Sequence, residues 1–482
     1  MRREMRRFGY LRQLSDEDVS RVHEKAIEML ENFGIRVEDE GVRDVMARSG
    51  GGILPNGRVS VRREAIERAM NASVPEIKLS SLSGAEVSVG EGLLVHSTGG
   101  APWIIDSKSG ARRDALASDL ADAVRLMNAV DGLDLPCALV YPSDVPVEIS
   151  QFLQSVILFR NSEKPVYCPG VSTPLNAKYI AEIFKALGDG ERNVGMVGVS
   201  PTSPLIWPKE ITDTARILSE AGVPISVLAA PIAGMTAPFS VVGCVAVCHA
   251  EILAFAAFCK LVNPKVPLVY GARPFFAGMR VGQVLLGLPE TGAASGMAAQ
   301  MAALCGMPSD VYGMAGTGCG FDEQTGYEKM MNGLLPALSG ASMITGLGGL
   351  GSAMCGSLEQ IVIDGEIARM IKNAAAERET GDDALGMEEM GEVLEEGGSF
   401  MDRIHTVERL RKGEVFEPRL GFADGVTGWY GDGRTSLGER AACEARKVLA
   451  AERRPVMSDA QENELAAITR SAEREASATR HR

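Results

Sequence analysis

Short apolar runs alternate with helix-like segments along most of the chain, starting near residue 92. The runs are almost continuously apolar, which is typical of parallel strands covered on both faces. We predict strands at Leu93–His96, Leu135–Val140, Pro165–Cys168, Val194–Val199, Pro224–Ala229, Val266–Tyr270, Asp310–Met314 and Ala341–Thr345.

The segments between these runs are predicted to be helices. They are Ala115–Val130, Val147–Phe159, Ala177–Leu187, Glu210–Ala221, Val241–Leu261, Ala293–Cys305, Gln324–Leu338 and Leu358–Asn373. Parallel strands need crossover connections of this kind. Eight strand–helix units predict an α/β protein and favour a closed (β/α)8 TIM barrel over residues 92–376, rather than an open doubly wound sheet.

Two extensions flank the predicted barrel. Residues 1–91 are predicted to be a helical N-terminal extension, with a capping-box-like start at Ser15-Asp-Glu-Asp18 and helices at Val42–Ala47 and Val61–Met70.

Residues 377–482 are predicted to be a C-terminal extension. An acidic, glycine-rich surface loop is expected at Glu377–Gly398 and a helix at Leu437–Ala451. The residues from about 463 onward are expected to fray, as chain ends often do.

The composition excludes several classes of protein. Of 482 residues, 45% are hydrophobic and 23% are charged, which excludes a disordered chain. Asp and Glu outnumber Lys and Arg by 63 to 49, so binding to nucleic acid is not expected. Nine cysteines without a C-x-x-C pair indicate a reducing compartment, and we predict a cytoplasmic protein.

Two segments bear on targeting and membranes. Met1–Arg7 is charged and has no apolar stretch behind it, so no signal peptide is predicted. Ala237–Val262 is apolar, but His249, Glu251 and Lys260 interrupt it. We predict a buried helix rather than a membrane span, with His249 as a buried histidine whose polar atoms are satisfied.

Glycine, proline and small polar residues follow every predicted strand. They permit tight turns and close approach to a ligand, and in a barrel these strand ends form the active site. The loops are Ser97–Trp103, Tyr141–Asp144, Pro169–Gly170, Ser200–Pro204, Ala230–Gly234, Gly271–Phe276, Ala315–Gly320 and Gly346–Gly351. The last loop matches G-x-G-x-x-G, but no later strand bears a ribose-binding acid, so a dinucleotide site is not expected.

A collinear series of short motifs runs through nearly the whole chain. It includes Leu14–Val19, Gly34–Val37, Ser97–Gly100, Pro142–Pro146, Pro289–Glu290, Asp322–Glu328, Leu338–Ala341, Ser357–Gln360 and Gly438–Arg440. Through these motifs the chain resembles the trimethylamine:corrinoid methyltransferase superfamily. The resemblance implies a (β/α)8 barrel, in agreement with the strand pattern.

The resemblance also implies a branch of that superfamily. Its trimethylamine enzymes carry pyrrolysine shortly before the segment that reads Asp322-Glu-Gln324 here, whereas this loop contains only standard residues, Gly318, Cys319, Gly320 and Phe321. The chain therefore resembles the non-pyrrolysine branch, whose known members demethylate quaternary amines such as glycine betaine. The implied activity is methyl transfer from a betaine, and not from trimethylamine, to the cobalt(I) corrinoid of a partner protein.

The chemistry of the two amines gives a reason for this division. A quaternary amine departs as a neutral amine, so displacement by cobalt(I) needs alignment and a dry site but no proton transfer. A neutral tertiary amine must first be made cationic, a task suited to pyrrolysine. The chain has no Asp-x-His-x-x-Gly corrinoid signature. We therefore expect that it binds no cofactor itself and that the corrinoid (cobalamin) arrives on a partner protein.

Aromatic faces bind quaternary ammonium ions, each ring contributing about 0.5–2 kcal/mol. The predicted substrate-binding residues lie at strand ends and are His96, Trp103, Trp207, Phe275, Phe276, Arg280 and Tyr312. Trp103 and Phe276 are the best ring candidates, with core packing as the alternative. Arg280 and Arg273 follow strand six, and Arg280 is the preferred candidate for a bidentate pair with a substrate carboxylate. The alternative is a salt bridge with Glu290 or a surface role. His96 is expected to bond a carboxylate or the corrinoid edge.

No catalytic residue is assigned from the sequence. Asp322, Gln324 and Glu359 are candidates because they lie at the starts of the helices after loops seven and eight. Asp322 equally suits a helix N-cap, and Glu359 suits the helix dipole. Cys244 and Cys248 lie inside an apolar helix, so no metal site is predicted there.

Two other functions remain open. A barrel enzyme acting on a phosphorylated small metabolite would use the glycine-rich loops seven and eight. A non-catalytic homologue would bind quaternary amines without turnover. We also expect a homo-oligomer.

Overall fold

Seven of the eight predicted apolar runs form the strands of one parallel sheet that curves into a barrel. Numbered by their position in the barrel, the strands are β1 (Leu94–Ser97), β3 (Val166–Gly170), β4 (Gly195–Val199), β5 (Ile225–Ala229), β6 (Leu268–Ala272), β7 (Ser309–Tyr312) and β8 (Met343–Leu347). Their order in the sheet is β1, β8, β7, β6, β5, β4 and β3. The computed structural model describes residues 11–49, 51–188, 192–431 and 433–480. The sequence predicts no signal peptide at Met1–Arg7, and this segment lies outside the described residues.

The remaining run closes the barrel. The extended segment 135–140, labelled β2, makes isolated parallel bridges: Leu135 pairs with His96 of β1, and Cys137 pairs with Tyr167 of β3. With this segment in place, eight parallel positions surround one interior. The predicted (β/α)8 barrel is confirmed.

A helix follows each barrel position and covers the outside of the sheet. The helices are α1 (Ala117–Ala129), α2 (Ser150–Asn161), α3 (Pro174–Leu187), α4 (Lys209–Glu220), α5 (Val241–Val262), α6 (Pro289–Cys305), α7 (Glu323–Leu338) and α8 (Leu358–Ala375). All eight lie where the sequence predicts them. The largest shift is the early start of α6, where proline occupies the first turn and supplies a helical φ.

Short strands in the connecting loops extend the mouth of the barrel, at the carboxyl ends of the strands. They are Trp103–Ile105, Arg112–Asp114, Ile206–Trp207, Ile232–Ala233, Phe275–Gly278, Gln283–Val284, Gly349–Leu350 and Cys355–Gly356. These elements position the loops that the sequence assigns to a ligand site.

A β-hairpin of the N-terminal extension covers the opposite end of the barrel. Its strands, Ile77–Ser80 and Glu86–Val89, pair antiparallel. Leu79 and Val89 are fully buried and share an apolar cluster with Met196 of β4. The hairpin fills the floor, so the barrel interior opens toward the mouth.

The rest of the N-terminal extension contains the predicted helices together with strands that the pattern does not indicate. The helices are Asp16–Asn32, Glu40–Arg48 and Arg63–Asn71, and the strands are Arg36–Val37, Gly52–Ile53 and Val59–Ser60. The predicted helix start is confirmed, because Ser15 Oγ accepts a hydrogen bond from Asp18 N and caps the first helix.

Helix α5 is strongly apolar and lies in the core. Among the described helices it alone is long and apolar enough to cross a membrane, and 83% of its apolar window is buried inside the protein. His249 is fully buried, with Nδ1 2.8 Å from the Tyr270 hydroxyl and Nε2 2.9 Å from Nδ1 of His23. The predictions of a buried helix and of a satisfied histidine are confirmed.

Helix α5 also carries a buried carboxyl group, Glu251. It accepts hydrogen bonds from Ser203 Oγ at 2.7 Å and Leu205 N at 2.8 Å, and so holds the loop after β4. Burial raises the pKa of Glu251 to about 7, although both hydrogen bonds favour the ionised form. Because the pKa is higher in the folded state, the contribution of Glu251 to stability falls as the pH rises from the ordinary glutamate pKa of 4.5 to about 7.

We expect Glu251→Gln to be more stable than the wild type at pH 8 and to lose most of that advantage at pH 5. The amide keeps an acceptor oxygen and never ionises, so it avoids a cost of about 3 kcal/mol above the folded-state pKa. Urea unfolding at both pH values measures this, with the exposed Glu210→Gln as control. The same pH dependence in wild type and Glu251→Gln would contradict the expectation.

The C-terminal extension is more helical than predicted. The acidic segment expected as a surface loop contains two short, exposed helices, Asp382–Leu385 and Met387–Glu396, so the loop prediction is wrong. The predicted helix near residue 440 is confirmed at Leu437–Ala450. The other elements here are Phe400–Asp402 (a 3-10 turn), Ile404–Lys412, Gly425–Gly431 and Asp459–Arg480.

The predicted fraying of the chain end is wrong. Asp459–Arg480 forms a long helix that packs against α2 and α3. Leu465 is fully buried, and Glu475 accepts hydrogen bonds from Lys178 Nζ and the Tyr179 hydroxyl, each at 2.6 Å. These contacts offset the entropy that is lost when the helix is ordered.

Candidate active site

A cavity of about 280 Å³ lies inside the barrel and reaches toward the mouth. Its size is close to the lower end of small-molecule sites, which measure roughly 300–1,000 Å³. Seven of the barrel positions and helix α2 contribute to its wall. Its aromatic and charged lining residues are His96, Tyr141, Tyr167, Arg273 and Tyr312.

Asp310 on β7 is the centre of a buried hydrogen-bond network in the barrel. Its carboxylate accepts from Arg273 Nη2 at 2.7 Å and from His96 Nε2 at 3.0 Å. It also accepts from the Tyr167 hydroxyl at 2.8 Å and from Ser226 Oγ at 2.9 Å. The network therefore connects β1, β3, β5 and β7 through the interior.

Neighbouring charges decide the ionisation of this network. Burial by itself raises the pKa of Asp310, but the charges and hydrogen bonds of Arg273 and His96 outweigh burial and hold the pKa well below its ordinary value. Burial raises the pKa of Tyr167, and the negative charge of Asp310 raises it further. Asp310 is therefore an ionised carboxylate, and Tyr167 is a neutral donor.

His96 lies between two hydrogen-bond acceptors. Nε2 faces the ionised carboxylate of Asp310, and Nδ1 lies 3.0 Å from the main-chain oxygen of Ser97. A carboxylate and a carbonyl oxygen can only accept hydrogen bonds, so a ring nitrogen that carries a proton donates to its neighbour. Both ring nitrogens of His96 therefore already face protein groups, and Arg273 is the cation that pairs with Asp310.

Tyr312, the last residue of β7, brings an aromatic face to the cavity. Its ring packs edge-on against Phe275, with the ring centroids 5.4 Å apart, and the guanidinium carbon of Arg273 lies 5.7 Å from its centroid. Its hydroxyl is 3.3 Å from Thr98 Oγ1. Of the residues chosen from the sequence, His96 and Tyr312 line the cavity, and Phe275 adjoins it through Tyr312.

Both tryptophans chosen from the sequence lie away from the cavity wall. Trp207 is fully buried and packs against Phe255 and Phe258 of α5, beside the N-terminal extension. Trp103 is half-buried, and the guanidinium carbon of Arg112 lies 4.1 Å from its ring centroid. Each ring is already paired with protein groups.

Two further candidates lie in the hairpin that follows β6. Phe276 is buried in the main apolar core and does not line the cavity. Arg280 is exposed in the turn of the hairpin. The arginine in the cavity wall is Arg273, which directly follows β6.

Loop seven, the connection between β7 and α7, is fastened by Glu328. The Glu328 carboxylate accepts from Thr317 N at 2.6 Å and from Gly318 N at 3.0 Å. A side chain at position 318 would overlap Thr325, so only glycine fits there. The loop is therefore anchored to the start of α7.

The residues predicted to replace pyrrolysine all belong to this loop. Gly318, Cys319, Gly320 and Phe321 do not line the cavity. Cys319 is exposed, and Phe321 is exposed beside Gly438 of the C-terminal extension. Their equivalence to the pyrrolysine segment stays a prediction.

The three catalytic candidates make structural contacts and do not line the cavity. Asp322 caps α7 by accepting from a main-chain amide at 2.9 Å. Gln324 donates to Glu328 at 2.9 Å. Glu359 is buried at the start of α8, where it accepts from Ser357 Oγ at 2.9 Å.

A buried ion pair supports loops seven and eight from below. Lys329 Nζ lies 2.8 Å from Asp364 Oδ2, and both side chains are fully buried. Lys329 also donates to the carbonyls of Met314 and Gly346, and Asp364 accepts from Gly348 N at 2.7 Å. The pair therefore fixes the base of each loop.

Several backbone amides of these loops are already bonded. The amides of Thr317, Gly318 and Gly348 donate to side-chain carboxylates, and Gly351 N donates to the carbonyl of Gly318. A phosphate cradle needs such N–H groups to face the ligand. This geometry does not favour an enzyme that acts on a phosphorylated small metabolite.

Seven of the nine cysteines are buried, and Cys319 and Cys443 are exposed. All nine are free thiols, and the described residues contain no group of three or more His, Cys, Asp or Glu suited to a metal ion. Cys244 and Cys248 face the main-chain oxygens of Pro231 and Ala229. Burial raises the pKa of Cys244 to about 12.

Several cavity residues are absent from the sequence-based candidates: Tyr141, Gln154 and Tyr167, together with Asp310 beside the cavity. Arg273 is considered with Arg280 on sequence grounds, but Arg280 is preferred. The sequence does contain a signal for Asp310, because it is a charged residue in a predicted buried strand. A charged residue within a strand covered on both faces must have a buried partner. Tyr167 likewise lies in an apolar strand, whereas Gln154 on α2 has no distinguishing pattern.

Comparison with known proteins identifies relatives over almost the full length. The model of the trimethylamine methyltransferase (MTTB) family matches residues 1–477. The glycine betaine methyltransferase of Desulfitobacterium hafniense (strain Y51) is 26% identical over 446 residues, which are 91% of this chain and 92% of that protein. The trimethylamine methyltransferase MttB of strain DSM 10664 / DCB-2 of the same species is 25% identical over 450 residues, 92% of this chain and 90% of that protein.

Solved structures share the fold. The crystal structure of the Methanosarcina barkeri monomethylamine methyltransferase (MtmB) covers 92% of this chain and 89% of its own, with a TM-score of 0.55 and 16% identity. At this identity the likeness concerns the fold alone.

Proposed function

The chain belongs to the trimethylamine methyltransferase (MTTB) family, and from this premise we propose that it moves a methyl group from a quaternary amine to the corrinoid of a partner protein. The proposed substrate class is glycine betaine or a related betaine. The observation that carries the proposal is that burial raises the pKa of two tyrosine hydroxyls and two thiols in the cavity wall, so these groups stay neutral near neutral pH.

The hydroxyl and thiol groups of the cavity wall support a quaternary amine as the substrate. Burial raises the pKa of the Tyr167 and Tyr312 hydroxyls, and it raises the pKa of the Cys137 and Cys168 thiols to about 12. Both ring nitrogens of His96 face protein acceptors, the Asp310 carboxylate and the main-chain oxygen of Ser97. Transfer from a tertiary amine needs a proton at the nitrogen, whereas transfer from a quaternary amine needs none. A wall of this kind suits the quaternary substrate.

The proposed reaction is a direct displacement. The carbon–nitrogen bond breaks with its electron pair on nitrogen, the amine leaves neutral, and the corrinoid's cobalt(I) supplies the pair for the new bond to carbon. This chain contributes position and exclusion of water, because the cavity is enclosed by the barrel and aligned with its mouth.

The mouth has a surface suited to a protein partner. Exposed apolar side chains project from the loops after β5, β6 and β8; they are Met235, Phe239, Met279, Val281 and Met354. Exposed apolar patches of this kind mark interaction sites. We propose that the corrinoid protein docks on this rim. The nine free thiols further support a cytoplasmic location.

A panel of methylated amines with reduced corrinoid protein tests the proposed function. We expect methyl transfer from glycine betaine or another betaine and none from trimethylamine. Transfer from trimethylamine alone would refute the proposal. Binding of betaines without any transfer would favour the non-catalytic homologue.

We expect Tyr141→Ala to weaken the binding of the substrate cation by about 0.5–2 kcal/mol, with a larger effect on KM than on kcat. Tyr141 follows β2 and lines the cavity near the mouth. Calorimetric titration of a betaine measures the loss. Trp103→Ala and Phe276→Ala are titrated in the same way. Trp103→Ala is expected to bind like the wild type, because the Trp103 ring stacks on Arg112 in the wild-type protein. Unchanged affinity in Tyr141→Ala would contradict this expectation.

A further inference from the structure

The segment at residues 377–431 is largely helical but has almost no core of its own. The structure describes all of these residues, and only Leu420 among them is buried. The helices Asp382–Leu385, Met387–Glu396 and Ile404–Lys412 bury no residue. Helices this short are marginal in water unless tertiary contacts support them. The segment therefore needs more cover than a single chain supplies.

Large apolar side chains are concentrated on the outside of this segment. Ten of them are exposed between Leu385 and Val415, and we call these ten the C-terminal patch; Leu394, Met401 and Ile404 are the most exposed. At on the order of 100 Å² each they present roughly 1,000 Å², whereas apolar patches on monomers rarely exceed a few hundred Å². A standard protein interface takes about 800 Å² from each partner. The C-terminal patch is therefore large enough for a stable interface.

The helix Met387–Glu396 turns its polar side toward its own chain. Glu392 pairs with Arg403 at 2.8 Å. Met387 and Leu394 are seven residues apart and so lie on one side of the helix, where they are 65% and 76% exposed. A surface helix of a monomer normally buries its apolar side and exposes its polar side. The reversed arrangement indicates that another molecule covers the apolar side.

The short helices are held together, so their apolar side chains belong to one unit. The Arg409 guanidinium pairs with the carboxylate of Asp383. His405 Nε2 lies 2.8 Å from the main-chain oxygen of the same aspartate. The helix Ile404–Lys412 is thereby fastened to Asp382–Leu385.

The C-terminal patch lies away from the mouth of the barrel. Arg378 donates to the main-chain oxygen of Asn373 at 2.8 Å and to that of Glu414 at 3.2 Å, so the patch is tied to the end of α8. Barrel helices run back from the mouth, and α8 therefore ends at the floor. A corrinoid protein docked on the rim of the mouth would leave this surface uncovered.

We propose that the C-terminal patch is a two-fold interface between two copies of this chain. Such an interface joins the same surface of both copies, so the surface must complement itself. Exposed charges of both signs accompany the patch: Glu388 and Glu395 on one helix and Arg411 on the other, none of which has an ion pair among the described residues. A two-fold axis can bring the acidic helix of one copy to the basic end of the other. The glutamates also disfavour an anionic membrane as the cover.

Sedimentation equilibrium of the full chain tests the proposal. We expect the wild type to have an even multiple of the 51.2 kDa mass of one chain, and the double variant Leu394→Glu/Ile404→Glu to have half the wild-type mass. Each substitution places a carboxylate in the interface twice, once from each copy, so Kd should rise at least about a hundredfold. Both side chains are exposed in the single chain, so the variant is expected to fold.

The matched control is Met279→Glu/Val281→Glu, which places the same charges in the exposed apolar rim of the mouth. It is expected to keep the wild-type mass. A wild type that stays monomeric at about 100 µM would overturn the proposal, since interfaces of this size bind at micromolar Kd or tighter. An unchanged mass in Leu394→Glu/Ile404→Glu, or a halved mass in the rim variant alone, would overturn it as well.

Hydrogen exchange of the wild type gives a second measurement that needs no substitution. The amides of residues 382–412 should exchange more slowly at protein concentrations above Kd than below it. Equal exchange at both concentrations would contradict the proposed interface even if the double variant does not fold. Neither measurement uses a substrate or a corrinoid protein, so the proposal stands or fails independently of the proposed methyl transfer.

Discussion

Asp310→Ala is expected to lower the free energy of unfolding by about 3–5 kcal/mol. The substitution leaves Arg273 buried without its counter-ion, and it removes the hydrogen-bond partner of His96 Nε2 and of the Tyr167 and Ser226 hydroxyls. Stranded buried charges cost far more than a lost surface contact, because water cannot replace the missing partner. Urea unfolding measures the loss, and betaine titration of the folded fraction is expected to show lost affinity as well.

Asp322→Ala is the matched control, since it makes the same chemical change at an exposed helix cap. It is expected to cost about 1 kcal/mol, the usual cost of a lost N-cap. Asp310→Asn separates charge from shape, because the amide has nearly the same volume but cannot neutralise Arg273. A cost for Asp310→Ala no larger than that of the control would show that the network is not effectively buried.

The barrel could be predicted from the sequence because its signal is repeated. Each strand is a short apolar run bounded by glycine or proline, and each helix has its own periodicity. The one irregular position, β2, reads as a strand in sequence but makes only single bridges. Its run contains Pro136, which has no amide hydrogen for a ladder. The local pattern therefore predicts the strand but not how it pairs with its neighbours.

The hairpin that fills the barrel floor illustrates a different limit. Ile77–Ser80 and Glu86–Val89 are short, and their apolar residues become informative only once the barrel end beneath them is known. The terminal helix is similar, because Leu465 and Ala472 bury against α2 and α3, which are far away in the chain. Tertiary burial overrides the general tendency of chain ends to fray.

The sequence predicts where the site lies, at the carboxyl ends of the strands, but it predicts only some of the residues that line it. Aromatic residues near strand ends were chosen by position, and position alone does not separate Tyr312, which lines the cavity, from Trp207, which packs into α5. Arg280 and Arg273 follow the same strand, and only the partner on β7 distinguishes them. That partner, Asp310, is more than 30 residues farther along the chain. Long-range pairing of charges is the information that a local reading lacks.

The second large effect is expected from Lys329→Met, which should cost about 3–5 kcal/mol at pH 8. The methionine fills the space of the lysine stem but leaves Asp364 buried without its cation and the carbonyls of Met314 and Gly346 without their donor. Those groups anchor loops seven and eight at the mouth, so affinity for the betaine should fall together with stability.

The pH dependence of that cost identifies its cause. Burial raises the pKa of Asp364 even in the wild type, where Lys329 opposes the shift. Without the lysine the folded-state pKa rises further, so the variant loses stability as the pH increases above the ordinary aspartate value. The loss should therefore be smaller at pH 5 than at pH 8.

Adding Asp364→Asn removes the ionisable group, and the double variant is expected to recover at least about 1 kcal/mol at pH 8 and to lose the pH dependence. Additive costs for the two substitutions would show that Lys329 and Asp364 stabilise the loops independently rather than as a pair.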